Sequence, residues 1–558
     1  MTTPRRISFP EVKTEVIPFD GGLNESVSSL EMKPGELILC KNYYITEGST
    51  GGYVSLSGYE RFDGQPAPSS IPIGVWSDNQ PWLDTNPWDD EFENDFAREE
   101  ARDLIGEVGG VACTGPVRGS FTFGGDVYAF RDKAAAPVVE AGLYKSTALG
   151  WVEVDTSADV LASGGKYSFS TYHYEESVGT VVMWSNGVDK ARVFNGTTVT
   201  KIDNTGMDPN DKPIFILGTW DRVVLGYSGG SVQMSAVGSP LDWTALGTVE
   251  FQAGYEITSI SSMLGDTIVV TGRDKISIIR RVDAADYSIE VFSDVVGAYP
   301  YTVQKLFDTL IFMSDMGVTT LQATQEFGDF GTASVSEKIK RTLLKYKDKI
   351  TCSVVVRQLN QYRLYFSDGR FLVFSFYNKK LRGVTLCQYP NPVLTASEGK
   401  DSAGNPIMFF TSLQGFLYQA DSGTSFDGAP IDTKLSTSYY HYKSPRHWKG
   451  FQQATIEISS IDEITFGVRP SFDYLSKGTI KAAEDFFDIM GAGSVYGEDL
   501  WGAVTSTWGG SETTNRVMYK FHGVGSNMSV SLYTLTAFNR AHTLQNLITD
   551  FSILGRQL

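Results

Sequence analysis

The chain has 558 residues, 47 Lys and Arg against 65 Asp and Glu, a formal net charge of −18, 56 glycines and 13% aromatic residues. That length allows several domains and a large core, and abundant glycine beside abundant aromatics suits a β-rich chain with many turns. The acidic balance argues against a protein that grips nucleic acid, since grip comes from Lys and Arg neutralising phosphates, but it leaves open a surface past which DNA slides.

Residues 1–65 read as the N-terminal part of a β-rich platform domain. Turns are expected at Gly21-Gly22-Leu23-Asn24 and at Lys33-Pro34-Gly35-Glu36. Between them and residue 44 the apolar period does not separate helix from strand. Residues 53–62 alternate as one strand and end at Asp63-Gly64. The opening MTTPRRISFPEVKTE has no apolar h-region, so no signal peptide is visible. No apolar run anywhere reaches about eighteen residues, so no membrane span is expected.

Residues 66–110 form an acidic, Trp-rich insertion. Trp76, Trp82, Trp88, Phe92 and Phe96 stand among many carboxylates. The Pro- and Asn-rich part before Phe92 is a loop. Residues 90–105 fit an acidic helix with Phe92, Phe96 and Leu104 on one side. Such a segment either docks on a partner or packs on the body of the protein. A glycosidase-like carboxylate pair is conceivable here, but carboxylates this abundant carry little information.

Residues 111–420 hold a repeated hairpin. Its clearest copy is LFDTLIFMSDMGVTTL at 306–321, where two apolar runs flank a polar turn at Ser314, Asp315 and Gly317. Glycine supplies the backbone freedom that a tight reversal needs. Further copies place turn glycines at Gly142, Gly187, Gly230, Gly272, Gly369 and Gly415. With Gly317 included, the seven lie 45, 43, 42, 45, 52 and 46 residues apart. One hairpin per forty-odd residues is the mark of a radial β-array with about four strands per unit. The expected fold is therefore mainly β, with a β-propeller of six or seven blades. Two stacked sandwiches also give short strands and frequent turns, but the regular interval favours the propeller. The 52-residue interval is long because EKIKRTLLKYKDK at 337–349 adds a basic, helical excursion. Its cations are Lys338, Lys340, Arg341, Lys345, Lys347 and Lys349. They suit a solvated helix face, or contact with DNA or an acidic neighbour.

Residues 421–475 carry return strands of the platform, with 454–468 alternating as two of them. Residues 476–514, rich in Gly, Ser and Trp, read as a long loop or arm. Residues 515–558 return to strands. Strands at both ends outside the repeat imply one domain built from both termini, with the propeller inserted in it.

Catalytic patterns are missing from the sequence. Cys40, Cys113, Cys352 and Cys387 are far apart and are expected as free buried thiols. The five histidines lack metal-ligand spacing; His441 and His447, six apart, adjoin no Cys or carboxylate cluster. There is no phosphate loop, no H-E-x-x-H and no G-x-S-x-G. Ser314-Asp315-Met316-Gly317 has the wrong spacing for a sialidase Asp-box. No catalytic, cofactor-binding or metal residue and no cofactor is expected, and the chain is read as a non-enzyme.

Four stretches carry a resemblance: FDGGLNES with the later GYERFDG; SVQMSAVGSPLDWTAL followed by EITSI; LNQYRLYFSDG followed by FLYQADSGTSFDGAPI; and the ending HTLQNLITDFSILGRQL. In this order they resemble the nozzle protein of short-tailed bacteriophages (podoviruses), also called tail tubular protein B or DNA-stabilisation protein. The resemblance covers most of the chain, but residues 76–105 do not map onto the family. It implies a structural virion protein made in the host bacterial cytoplasm and placed in the viral tail. It implies a homohexameric ring below the head–tail adaptor, in contact with distal tail or fibre proteins. Extended segments would close the distal channel, where double-stranded DNA would be retained and pass through at ejection; by its composition 476–514 is the arm or nozzle loop that best suits that place. The competing readings are a tail-borne carbohydrate-active propeller enzyme and a cellular propeller scaffold that binds other proteins.

Overall fold

The repeats fold as consecutive antiparallel sheets, all but the last built wholly from strands that follow one another along the chain. The computed structural model describes residues 11–46, 51–68, 99–133, 140–156, 160–175, 178–203, 212–243, 247–263, 267–281, 287–321, 334–460, 464–475, 485–489, 513–534 and 541–556. Seven sheets make seven blades, whose first strands are Cys113–Phe123, Ser168–Tyr174, Pro213–Thr219, Ser259–Met263, Gln304–Leu306, Ile350–Val356 and Thr395–Lys400. The strand sequences explain themselves. Thr267–Thr271 (TIVVT) and Ile276–Arg281 (ISIIRR) are β-branched runs, and both are largely buried because a neighbouring blade covers each face.

Five of the seven turn glycines lie between the second and third strands of their blades, and Gly317 is the first residue of a third strand. Gly369 shows why glycine is needed: its φ is +82°, and a Cβ there would sit 2.3 Å from the Tyr389 carbonyl oxygen. Gly142 is the exception and corrects the expectation. It lies inside the strand Glu140–Thr147, against the Tyr144 ring, while the matching turn falls in 134–139, outside the described residues.

Each neighbouring pair of blades shares a buried apolar cluster. Phe130 and Trp184 join blades one and two, Met183 and Leu225 two and three, and Val224 and Ile268 three and four. Val269 and Phe312 join four and five, Ile311 and Leu364 five and six, and Val373 and Phe410 six and seven. Ala129 and Phe409 join seven back to one, which closes the ring. The protein is a seven-bladed β-propeller carried on a second domain.

The last blade borrows its outer strand. Tyr59–Phe62 pairs antiparallel with Leu417–Ala420, Tyr59 opposite Ala420 and Phe62 opposite Leu417. This corrects the reading of 1–65 as wholly platform and of 53–62 as one strand. Tyr53–Ser55 stays with the platform, and the chain then passes into the propeller. Tyr59 is fully buried, and its ring lies 5.0–5.4 Å from those of Tyr389, Phe410, Tyr418 and Phe426.

The second domain is a sandwich of two sheets drawn from both ends of the chain. One sheet contains Val12–Pro18, Tyr43–Ile45, Tyr53–Ser55, His447–Ser460, Thr513–Gly525 and His542–Arg556. The other contains Leu37–Lys41, Lys434–Thr437, Ile464–Phe472, Asp485–Ile489 and Met528–Thr534. Tyr43, Phe451, Ile456 and Leu547 of the first sheet pack on Leu37, Phe466, Val468 and Leu532 of the second, as facing sheets do. Residues 37–45, ambiguous in sequence, are two short strands. The loop read across 476–514 is interrupted by Asp485–Ile489, which pairs with Ile464–Phe472, and Thr513 opens another strand. The remainder of that stretch lies outside the described residues. Of the acidic helix, 99–104 is described and helical. Its apolar face differs from the expectation: Leu104 is 71% exposed, and Ile105 is the buried side chain. All four cysteines are free and buried.

Candidate functional site: a cationic helix at the platform–propeller junction

The excursion at 337–349 folds as a 3-10 turn, the α-helix Lys340–Tyr346 and a second 3-10 turn. Its apolar residues Ile339, Leu343 and Tyr346 enter the cluster between blades five and six, which Leu23 of the N-terminal segment also joins. The helix is therefore seated on the propeller and touched by the platform.

Glu25 performs the joining. Its N–H donates to the Lys338 carbonyl (2.7 Å), and its carboxylate accepts from the Thr342 N–H (3.1 Å) and hydroxyl (2.7 Å). This supplies a remote cap for backbone N–H groups that a first helical turn leaves unpaired. Nearby, Lys338 Nζ donates to Glu36 Oε1 (2.7 Å), while Glu36 Oε2 accepts from Asn24 Nδ2 (2.8 Å) and the Lys33 N–H (3.0 Å). Burial alone would raise the Glu36 pKa, but the hydrogen bonds from Lys338, Asn24 and Lys33 outweigh it and hold the carboxyl below its ordinary value.

The opposite face of the helix points outward. Lys340, Arg341, Leu344 and Lys345 are exposed there. Among the described residues, Lys340, Arg341 and Lys345 form no ion pair, whereas Lys338 and Lys349 reach Glu36 and Asp368. A groove of about 420 Å³ runs beside this face, lined by Asn24, Glu25, Ile38, Arg341, Thr342 and Lys345. Ile38 is exposed because the register of its strand shifts between Leu37 and Leu39. The site can bind an anionic partner that also offers apolar side chains.

The propeller axis is a second place to look for function. Lys166 stands just before the first strand of blade two, yet its Nζ donates to the Thr351 carbonyl at the start of blade six (2.5 Å). The same ammonium lies 4.1 Å from the ring centroid of Tyr301, which precedes blade five, and Tyr301 packs on Phe215 of blade three at 5.3 Å. Contacts among groups from four blades cross the centre, so this mouth is filled by side chains. Burial lowers the Lys166 pKa from its ordinary value.

Sequence reading assigned no catalytic, cofactor or metal residue. The residues it weighed have structural surroundings. Asp315 accepts from Arg273 Nη2 (2.7 Å) and the Tyr299 hydroxyl (3.1 Å) at the hairpin turn. His441 Nε2 is 2.7 Å from the Tyr474 hydroxyl, and burial lowers its pKa. Among the described residues, no group of three His, Cys, Asp or Glu is arranged to hold a metal ion. The cations of the junction were visible in sequence. Glu25, Ile38 and Lys166 were missed, since their partners lie some two to three hundred residues away.

No family model matches this chain, and no curated protein matches it. Among solved structures, it is similar to the WD40 β-propeller domain of Doa1 (13% identity, 55% of this chain and 93% of that one, TM-score 0.35). It is also similar to YCF48 bound to D1 peptide (10% identity, 56% and 93%, TM-score 0.37). A third is PorZ, a surface component of the type-IX secretion system of Porphyromonas gingivalis (10% identity, 75% and 60%, TM-score 0.39). Likenesses at these scores carry no argument about function.

Proposed function

We propose that this chain is the subunit of a homohexameric tail-nozzle ring of a short-tailed bacteriophage, a structural virion protein that retains packaged DNA and conducts it during ejection. The observation that carries this reading is the domain plan: a sandwich built from both ends of the chain with a propeller inserted between them. The family resemblance implies a platform domain facing the adaptor with a propeller projecting from it, and this plan supports that reading. The filled propeller axis adds a geometric reason for a ring. If DNA runs past this protein, its path lies between copies and not through one. The net charge of −18 adds an electrostatic one, because acidic walls repel the duplex and let it slide. The ring's partners in this reading are the head–tail adaptor above and distal tail or fibre proteins below.

Native mass measurement and particle images of the purified chain test the proposal. Six copies around one axis with an open bore are expected. A stable monomer, or cleavage of host surface glycans by the purified chain, overturns it.

A further inference from the structure

Among the described residues the junction helix leaves three cations without an ion pair and Leu344 exposed between them, beside a groove large enough for several side chains. We propose that this groove receives the acidic, aromatic stretch 76–96 of a second copy of the chain, so that it forms one half of the contact between ring neighbours. The inference rests on the ring reading above and names its interface.

Three observations carry it. The first is charge. Lys340, Arg341 and Lys345 face outward without an ion pair among the described residues, whereas residues 76–96 contain seven carboxylates and no Lys or Arg. Complementary fields of this kind steer encounter and fix register. The second is apolar character. Leu344 (45% exposed) sits between Arg341 and Lys345, and Ile38 (38% exposed) lines the groove. The stretch offers Trp76, Trp82, Leu83, Trp88, Phe92 and Phe96 to such positions. Large aromatics anchored in a groove and surrounded by charge pairs are the usual energetic core of a protein contact. The Glu25 carboxylate, held by the Thr342 N–H and hydroxyl, offsets one charge and leaves the three cations in excess.

The third is placement. The stretch leaves and rejoins the described chain beside the last blade. There Gln65 Nε2 donates to the Leu104 carbonyl (3.4 Å), and the Gly106 N–H donates to Asp63 (2.9 Å). The groove lies elsewhere, where blades five and six meet the platform. Two unlike but complementary patches at different places on one chain make a head-to-tail contact, the kind that closes into rings. Duplex DNA is the poorer occupant. Its grip grows with the number of phosphates neutralised, and its backbone has no use for Leu344 or Ile38.

The test uses full chains. One variant carries Arg341→Glu with Lys345→Glu, both exposed, so the fold has little reason to change; Arg341→Gln with Lys345→Gln is the milder companion. A second variant replaces 76–96 by a Gly-Ser linker. Native mass should show that both the charge reversal and the deletion lose the ring, and that their 1:1 mixture gives heterodimers. In that mixture one copy offers an intact groove and the other an intact stretch. A labelled peptide of residues 76–96 should bind the deletion variant. Groove reversal in that background should weaken binding at least about tenfold, and raised salt should also weaken it. Rings that persist in both variants overturn the groove while leaving the nozzle reading intact. Peptide binding without heterodimers places the stretch in its own chain's groove and overturns the second copy. Duplex DNA that binds the groove when the peptide does not also overturns it. A wild-type monomer that binds no peptide overturns both readings.

Discussion

Replacing Tyr59 tests whether one short strand from the N-terminal segment locks the propeller. Tyr59 is fully buried, lies against the rings of Tyr389, Phe410, Tyr418 and Phe426, and accepts a hydrogen bond from Asn391 Nδ2 (3.2 Å). Removing a buried aromatic side chain costs about 3–5 kcal/mol through lost transfer energy and the cavity left behind. Tyr59→Ala should fall in that range. Tyr59→Phe keeps the ring and loses only one hydrogen bond, so it should cost about 1 kcal/mol. The chain has two domains, so one melting temperature does not describe it. Hydrogen exchange resolved by segment is the better assay. If the strand closes the ring, a loss of about 4 kcal/mol should speed opening of Thr395–Lys400, Pro406–Thr411 and Leu417–Ala420 roughly a thousandfold. The sandwich strands should keep their protection. Faster exchange confined to the sandwich, or a Tyr59→Ala cost below about 1 kcal/mol, would refute the role given to this strand.

Arg363 is fully buried and bonds Asp421 (2.9 Å) and Gln361 (3.1 and 3.0 Å) between blades six and seven. Arg363→Ala should cost about 3–5 kcal/mol in chemical denaturation, because it strands the Asp421 charge. Lys449 is buried, donates to the carbonyls of Ser444 (2.7 Å), His447 (3.1 Å) and Ser526 (2.7 Å), and has its pKa lowered by burial from 10.5 to about 8. The unfolded chain therefore holds this proton more tightly, so the contribution of Lys449 to sandwich stability should rise from about pH 8 to 10.5, against the opposite trend of buried tyrosines such as Tyr43 and Tyr442. Denaturation of Lys449→Met across that window should lack the rise. If 476–514 supplies the gate of the ring, deletion of 490–512, which spares the strand Asp485–Ile489, should leave ring formation intact and let packaged DNA leak from particles. Particles that hold their DNA normally would remove the gate from that stretch.

The propeller was readable because each blade repeats one hairpin, and a hairpin's turn chemistry is local. Gly187, Gly230 and Gly369 announce it through the left-handed backbone they adopt. Gly142 misled because a small residue inside a strand looks the same in sequence as one at a turn. The handover at Tyr59 was hidden for a physical reason. Residues 53–62 alternate without a break, yet Gly58 lies so close to the Ser425 carbonyl (2.1 Å from where a Cβ would be) that only tertiary contact reveals the bend. The same holds for the junction. The cations of 337–349 stand out as charge, but the groove exists only because Glu25 and Ile38 meet Thr342 and Arg341 from three hundred residues away.

The shared outer strand of the last blade also sets a timetable for synthesis. Tyr59–Phe62 leaves the ribosome long before Leu417–Ala420, and at about 5–20 residues per second the wait is roughly 20–70 s. Val12–Pro18 waits longer still, since its partner His542–Arg556 lies further along the chain than Leu417–Ala420. Throughout that interval both N-terminal strands carry unpaired edges, and they do so on every nascent chain of a polysome. Premature pairing between neighbouring chains is thus the hazard built into this topology. The yield of native protein should depend on translation speed and on chaperones more than that of a propeller closed within its own repeat.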